Sequence, residues 1–241
     1  MKRPPLSAVL FDLDDTLHDD TATYRKAAQA VAADVAEKYG CDAVMLFEAY
    51  VEQAERFWRD LTPEGLGTPL AAVRPRLWAA ALAEVMLSDV DLAAQCAAAY
   101  GRYRRTAFVL WPGALELLTR LRQQGYKLGL ITNGFAETHR EKIALLALDD
   151  AFDEIFIADE IGLLKPDPRL FRLAAERLDV DPEACAMVGD RLERDIRGAQ
   201  AAGMFTIWMN VRAEALPARG LQPDAVVTEI GAVEAALASR S

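Results

Sequence analysis

Cysteine and histidine are scarce in these 241 residues: Cys41, Cys96 and Cys185 are the cysteines, and His18 and His139 are the histidines. The cysteines are odd in number and far apart. That argues against a disulfide framework and, with so few histidines, against a zinc cluster. Free thiols in a reducing compartment, the cytoplasm, are the expectation. No uncharged apolar run approaches the ~18 residues of a membrane span. The apolar stretch near the N-terminus is short and cut by Asp12, so it does not read as a signal peptide. Positive charge is in deficit, with 27 Lys and Arg against 37 Asp and Glu, a net charge of −10. A surface of that sign repels a nucleic-acid backbone, which speaks against DNA or RNA as a partner. It repels small phosphorylated molecules as well. A phosphate-handling site in this chain must therefore carry its own positive charge, from a cation, a lysine or backbone N–H groups.

What is present is the composition of a globular protein, 52% hydrophobic and 27% charged, in a chain long enough for one core domain plus an insert. Ala8, Val9, Leu10 and Phe11 read as a buried strand running into a polar loop at Asp12. Residues 20 to 106 then carry no strand signal and are rich in Ala, Leu, Glu and Arg, which predicts helices over about 20–39, 42–60, 70–87 and 89–106. Gly40 and the Thr62-Pro63-Glu64-Gly65 run break them, and Asp89 can cap the fourth. From Pro112 the texture alternates. A helix with Ala114, Leu117, Leu118 and Leu121 on one face is followed by strands over 128–131, 155–157, 186–188, 206–209 and 225–227. Helices over 135–148, 167–178 and 193–202 separate them. Strands alternating with helices imply a parallel sheet covered on both faces. The helical block of roughly ninety residues is too long and too apolar for a loop. The fold class is therefore α/β: a Rossmann-like core of residues 1–17 and 110–241, with an inserted helical bundle over 18–109.

In open parallel sheets, ligands bind beyond the carboxyl ends of the strands. The residues that follow the strands are Asp12, Asp14, Asp15 and Thr16 after the first, and Thr132, Asn133 and Gly134 after the second. Lys165 comes shortly after the third, and Gly189, Asp190 and Asp195 follow the fourth. Several carboxylates converging on one edge repel each other unless a cation sits among them. Oxygen ligands without a His or Cys cluster favour Mg²⁺ or Mn²⁺. Lys165 adds a second positive charge, and the Thr132 hydroxyl with the N–H groups of Asn133 and Gly134 can hold phosphate oxygens. Asp12 and Asp14, two apart at a strand end, can reach one substrate, one as nucleophile and the other moving protons.

These segments, in order, resemble the four motifs of the haloacid dehalogenase superfamily: DLDDT at 12–16, the strand ending at Thr132, LLKPDP with Lys165, and GDRLERD at 189–195. The helical insert is similar to that superfamily's cap domain. The resemblance implies Asp12 as nucleophile, Asp14 as general acid and base, and Thr132, Asn133 and Lys165 as the phosphoryl-binding group. It also implies Mg²⁺ held by the Asp12 and Asp190 side chains and the Asp14 backbone carbonyl, with Asp195 in support of Lys165 or of a metal-bound water. Where the family most often has Gly, this chain has Asp15. ITNGFAETHREKI (131–143) and GDRLERDIRGAQAAGMFTIWMN (189–210) further resemble the N-acylneuraminate-9-phosphatase and nucleotidase-like branch.

The activity so implied is Mg²⁺-dependent hydrolysis of a small phosphate monoester, a sugar or sugar-acid phosphate or a nucleoside monophosphate, through an aspartyl-phosphate. Attack on a 2-haloacid, transfer as a phosphosugar mutase, and a non-catalytic phospho-receiver module are the alternatives, and Asp14 argues against the first and third. No sequence feature specifies an oligomeric state. His18 and His139 are expected at the surface, and Arg102, Arg104 and Arg105 on a solvated helix face. Tyr24, Phe47, Trp58 and Trp78 are expected in the core of the bundle. Gly134 and Gly189 are expected to serve close backbone approach.

Overall fold

The computed structural model describes residues 4–216 and 219–240. The chain divides into two compact units, one formed by the residues up to Asp19 together with those from Val109 onward, the other by Asp20–Phe108.

The first unit is built on β1 (Ala8–Phe11), and all four of its residues are buried. A strand apolar on both faces must lie inside a covered sheet. The helical unit follows it in sequence: α1 (Asp20–Tyr39), α2 (Ala43–Arg59), α3 (Leu70–Glu84) and α4 (Val90–Arg105). The chain then returns with α5 (Ala114–Gln123), β2 (Lys127–Thr132), α6 (Ala136–Leu145), β3 (Glu154–Ile157), the short α7 (Ala158–Ile161) and α8 (Pro168–Arg177). It closes with β4 (Cys185–Gly189), a π-helical turn over Leu192–Ile196, α9 (Arg197–Ala202), β5 (Phe205–Met209), β6 (Ala225–Val227) and α10 (Val233–Ala238).

The sheet order is β3-β2-β1-β4-β5-β6 with every pair parallel. From the central β1 the chain builds outward to β3, then comes back to lay β4 on the other side. That reversal opens the crevice in which such sheets bind ligands. Register sharpens the point. Phe11 stands level with Leu130 of β2 and Val188 of β4, so β2, ending at Thr132, and β4, ending at Gly189, run only two residues and one residue beyond the end of β1. The N–H of Asp12 still donates to Val188 O at 2.9 Å, which pins Asp12 at that edge. On one face, Leu170, Phe171, Ala174 and Leu178 cover Leu10, Ile131, Phe156 and Met187.

The helical unit has its own core. Trp78, fully buried, stacks on Tyr50 at 3.9 Å between ring centroids, with Tyr100 tilted against both. Asp42 and Asp89 cap α2 and α4 by accepting from the N–H groups two and three residues on. Tyr24 and Phe47 pack against this core at its margin, whereas Trp58 is half-buried and lies edge-on to Phe57. Arg104 departs from the expected solvated face. Its side chain is 11% exposed, pairs with Asp20 at 2.7 Å and lies over the rings of Tyr100 and Phe108.

Candidate active site

Four of the residues singled out above meet at the carboxyl edge of the central strands. Lys165 reaches this edge from the loop before α8 and lies 2.5 Å from Asp12 Oδ1 and 2.6 Å from Asp195 Oδ1. It also donates to Ile131 O at 3.0 Å. Asp12, Asp190 and Asp195 each bring a carboxylate oxygen to within 4.8 Å of the others. Asp195 gets there through the π-helical turn, which carries its side chain back beside Gly189. A Cβ on Gly189 would fall 2.4 Å from Asp195 Cγ, so only glycine lets the carboxylate in. Asp195 then accepts from the N–H of Arg191 at 2.9 Å. The backbone of Asp190 is tied by Trp208 Nε1–H donating to its carbonyl at 2.8 Å.

Asn133 serves this group from outside. Its side chain donates to Lys165 O at 2.9 Å and accepts from Lys165 N at 2.8 Å, so the amide fixes the lysine's backbone. Thr132, 1% exposed, ends β2 at the same edge.

The charges are out of balance. Burial pushes the Asp12 carboxyl up to about 7. Lys165 pulls against that shift, while Asp195 and Asp14 add repulsion. Burial, with Asp12 and Asp195 nearby, also raises Asp190 well above the usual carboxylate range, although Arg191 opposes it. Burial would lower Lys165, but its two carboxylate partners win and hold it in the charged form. Three clustered carboxylates against one buried ammonium leave room, in charge terms, for a divalent cation, and an all-oxygen donor set suits a hard one. The residues fit Mg²⁺.

A pH dependence follows. Asp12 and Asp190, raised in the cation-free protein, must lose their protons to hold a metal. Below about pH 7 protons therefore compete with the cation. Stabilisation by Mg²⁺ is expected to be larger at about pH 8 than at about pH 5.5, with apparent affinity rising up to ~10-fold per pH unit for each proton released. Thermal-unfolding shifts on adding Mg²⁺ at the two pH values check this, and equal shifts would count against it.

Asp14 faces elsewhere. Its carboxylate meets Lys142 Nζ at 2.5 Å, His18 Nε2 at 2.9 Å and His139 Nε2 at 3.3 Å. Burial would raise its pKa, but Lys142 and the two imidazoles outweigh it and hold Asp14 well below the usual range. Both histidines are buried, at 0% and 3% exposure, which corrects the surface positions expected from the sequence. A polar side chain on a polar helix reads as solvated until its partner is known, and the partner of His139 lies 125 residues away. Lys142 was missed altogether. The available signal was the spacing: His139 and Lys142 are three apart on α6 and so share a face.

Asp15 takes a left-handed backbone, φ +62°, a conformation that favours glycine and tolerates aspartate. Its carboxylate is met by Arg212 at 3.2 Å and Arg191 at 3.8 Å. A cavity of about 90 Å³ reaches Asp15 and Asp190 and is lined also by Trp111, Trp208 and Arg212. A larger cleft, about 480 Å³, opens beside β3 around Arg140, Glu160 and Arg177 and contains none of these site residues.

The profile of the haloacid dehalogenase-like hydrolases matches residues 6–203. The chain belongs to this family. A phosphoserine phosphatase of Thermus thermophilus is 35% identical over 91% of this chain and 91% of its own. The mouse N-acylneuraminate-9-phosphatase is 34% identical over 84% of this chain and 82% of its own. Among solved structures, the HAD hydrolase YfnB of Bacillus subtilis, crystallised with magnesium, superposes with a TM-score of 0.77 at 25% identity. The match covers 97% of this chain and 99% of that one. As a family member the chain is a hydrolase, and its α/β sheet is the family's fold. Among the described residues no helix is long and apolar enough to cross a membrane.

Proposed function

We propose that this hydrolase is a Mg²⁺-dependent phosphatase that attacks a small phosphate monoester with Asp12 and moves the protons with Asp14. The observation that carries the reading is the contact of Lys165 with both Asp12 and Asp195 at one strand edge, 2.5 and 2.6 Å away. It puts a carboxylate nucleophile and a fixed positive charge side by side. Asp12 attacks phosphorus, the bond to the leaving oxygen breaks, and Asp14 supplies that oxygen with a proton, which it carries into the step because the entering phosphoryl dianion raises the pKa that Lys142, His139 and His18 hold low in the empty site. Asp14 then takes a proton from water as the water attacks phosphorus, and Asp12 is released with inorganic phosphate. Lys165, the Thr132 hydroxyl and the N–H groups of Asn133 and Gly134 hold the phosphoryl oxygens, while Asp195 keeps Lys165 in place. Asp12 and Asp190 would hold the cation with the Asp14 carbonyl; when bound, it neutralises charge developing on the phosphoryl group.

The chain is accordingly a phosphoric monoester hydrolase. The names of its relatives, phosphoserine, glyceraldehyde 3-phosphate and N-acylneuraminate-9-phosphatases, favour a small amino-acid, triose or sugar-acid phosphate over a nucleoside monophosphate as substrate. Dehalogenases share the fold, but displacing halide from carbon requires no proton for the leaving group and no metal. Asp14 and Asp190 would then be idle. The expected result is phosphate release from p-nitrophenyl phosphate with Mg²⁺ and its loss under EDTA. Halide release from a short 2-haloacid in EDTA, with no phosphate released from any ester, would replace this reading with the dehalogenase one.

A further inference from the structure

The neighbours of Asp14 are more elaborate than an ordinary ion pair. Lys142 and His139 come from α6, and His18 comes from the segment after β1. All three are buried, with exposures of 1%, 3% and 0%. They occupy both carboxylate oxygens, Lys142 and His18 on Oδ1 and His139 on Oδ2. Yet the Asp14 side chain keeps 29% of its surface exposed. It is held from behind and open in front.

The local backbone is shaped to allow this. His139 also turns its Nδ1 towards Phe135 O at 3.2 Å, and its ring lies where a side chain on Gly134 would be. A Cβ there would sit 1.8 Å from His139 Cε1. Burying a lysine is costly without an ionic partner, so the position of Lys142 depends on Asp14 as much as the reverse.

We propose that Lys142, with His139 and His18, is a positioning cradle that fixes the Asp14 carboxylate for proton transfer to the leaving oxygen. The inference rests on the reading of Asp14 as general acid and base. A general acid works only within ~2.6–3.2 Å of the atom it protonates, and a misplacement of about 1 Å can cost ~10²-fold in rate. An aspartate on an exposed edge would otherwise sample several side-chain rotamers. Clamping both oxygens from the buried side selects one and leaves the open edge to the substrate.

The test compares two esters. p-Nitrophenolate leaves with little need of a proton, whereas the alkoxide of glycerol 2-phosphate needs one. For Lys142→Met, kcat on glycerol 2-phosphate is expected to fall about 10-fold or more beyond any fall on p-nitrophenyl phosphate. KM should stay within about 2-fold, and Lys142→Arg, which keeps the charge, should recover part of the ratio. Far-UV circular dichroism reports whether the variant folds. If it does not, His139→Leu is read by the same ratio. A purely structural role would lower both rates together or only the melting temperature. Equal falls on both esters, no fall, or a rise on glycerol 2-phosphate, as loss of the Lys142 charge would give by leaving Asp14 easier to protonate, would overturn the cradle and leave the phosphatase reading standing. A wild-type chain that releases phosphate from neither ester would remove both.

Discussion

Asp12→Asn is expected to lower kcat on a phosphate ester by about 10³-fold or more while leaving the protein folded. An amide has almost the shape of the carboxylate but cannot form the covalent link to phosphorus. The stability side of the prediction is less obvious. Asp12 is 5% exposed, and burial, with repulsion from Asp195 and Asp14, pushes its pKa up to about 7 against the pull of Lys165. An acid whose folded pKa exceeds its unfolded value of 3.8 costs stability progressively as pH rises from about 4 to about 7, and the cost is complete above that. The asparagine form carries no such cost, and Lys165 keeps Asp195 at 2.6 Å. Without divalent cation, the stability of the variant relative to wild type should therefore be more favourable at pH 8 than at pH 5. Urea unfolding in EDTA at the two pH values, together with phosphate release, measures both halves. Turnover within 10-fold of wild type would end the nucleophile assignment, and the opposite pH trend would refute the electrostatic argument.

The parts of this site that lie at strand ends were readable because two regularities fix them. Strands buried on both faces are continuous apolar runs, such as AVLF in β1 and FTIWM in β5, and parallel pairing brings their ends to one edge. Asp12, Thr132 and Asp190 follow from these two facts. What the sequence could not show depends on contacts across long separations or on local irregularity. Lys142 meets a partner 128 residues away; its spacing from His139 places the two on one face of α6 but does not say what that face meets. Residues 192–196 were read as leading into an ordinary helix over 193–202. Instead they form a π-helical turn, a local widening common at functional sites, and it is this turn that delivers Asp195 to Lys165. Helix ends were also overestimated: α3 stops at Glu84 and α6 at Leu145, each followed within two residues by a non-glycine residue in the left-handed region, Met86 and Ala147. Neither residue type advertises that conformation.

Lys165→Met tests the electrostatic balance from the other side and is expected to cost both activity and fold stability. The lysine side chain is 3% exposed, and its partners Asp12 and Asp195 are 7% and 1% exposed. Methionine keeps most of the volume, so packing changes little and the loss is one of charge. Breaking a buried pair from one side leaves the other side uncompensated, a cost of about 3–5 kcal/mol. Here two carboxylates are left. Asp12 can escape only by binding a proton, and Lys165 is the group that lowers the Asp12 pKa. Its removal therefore raises that pKa further. In the variant, stability should fall as pH rises through and beyond about 7, so the gap to wild type should be wide at pH 8 and narrow at pH 5. Mg²⁺ should restore part of the stability at pH 8, since a cation among the carboxylates replaces some of the lost charge. It should not restore turnover, because the contact proposed for Lys165 with the phosphoryl oxygens is gone. Denaturant midpoints at both pH values, with and without Mg²⁺, separate the two effects. A variant as stable as wild type at pH 8 in EDTA would mean that Asp12 and Asp195 do not depend on this ammonium, and the case for a cation-demanding acidic edge would fail with it.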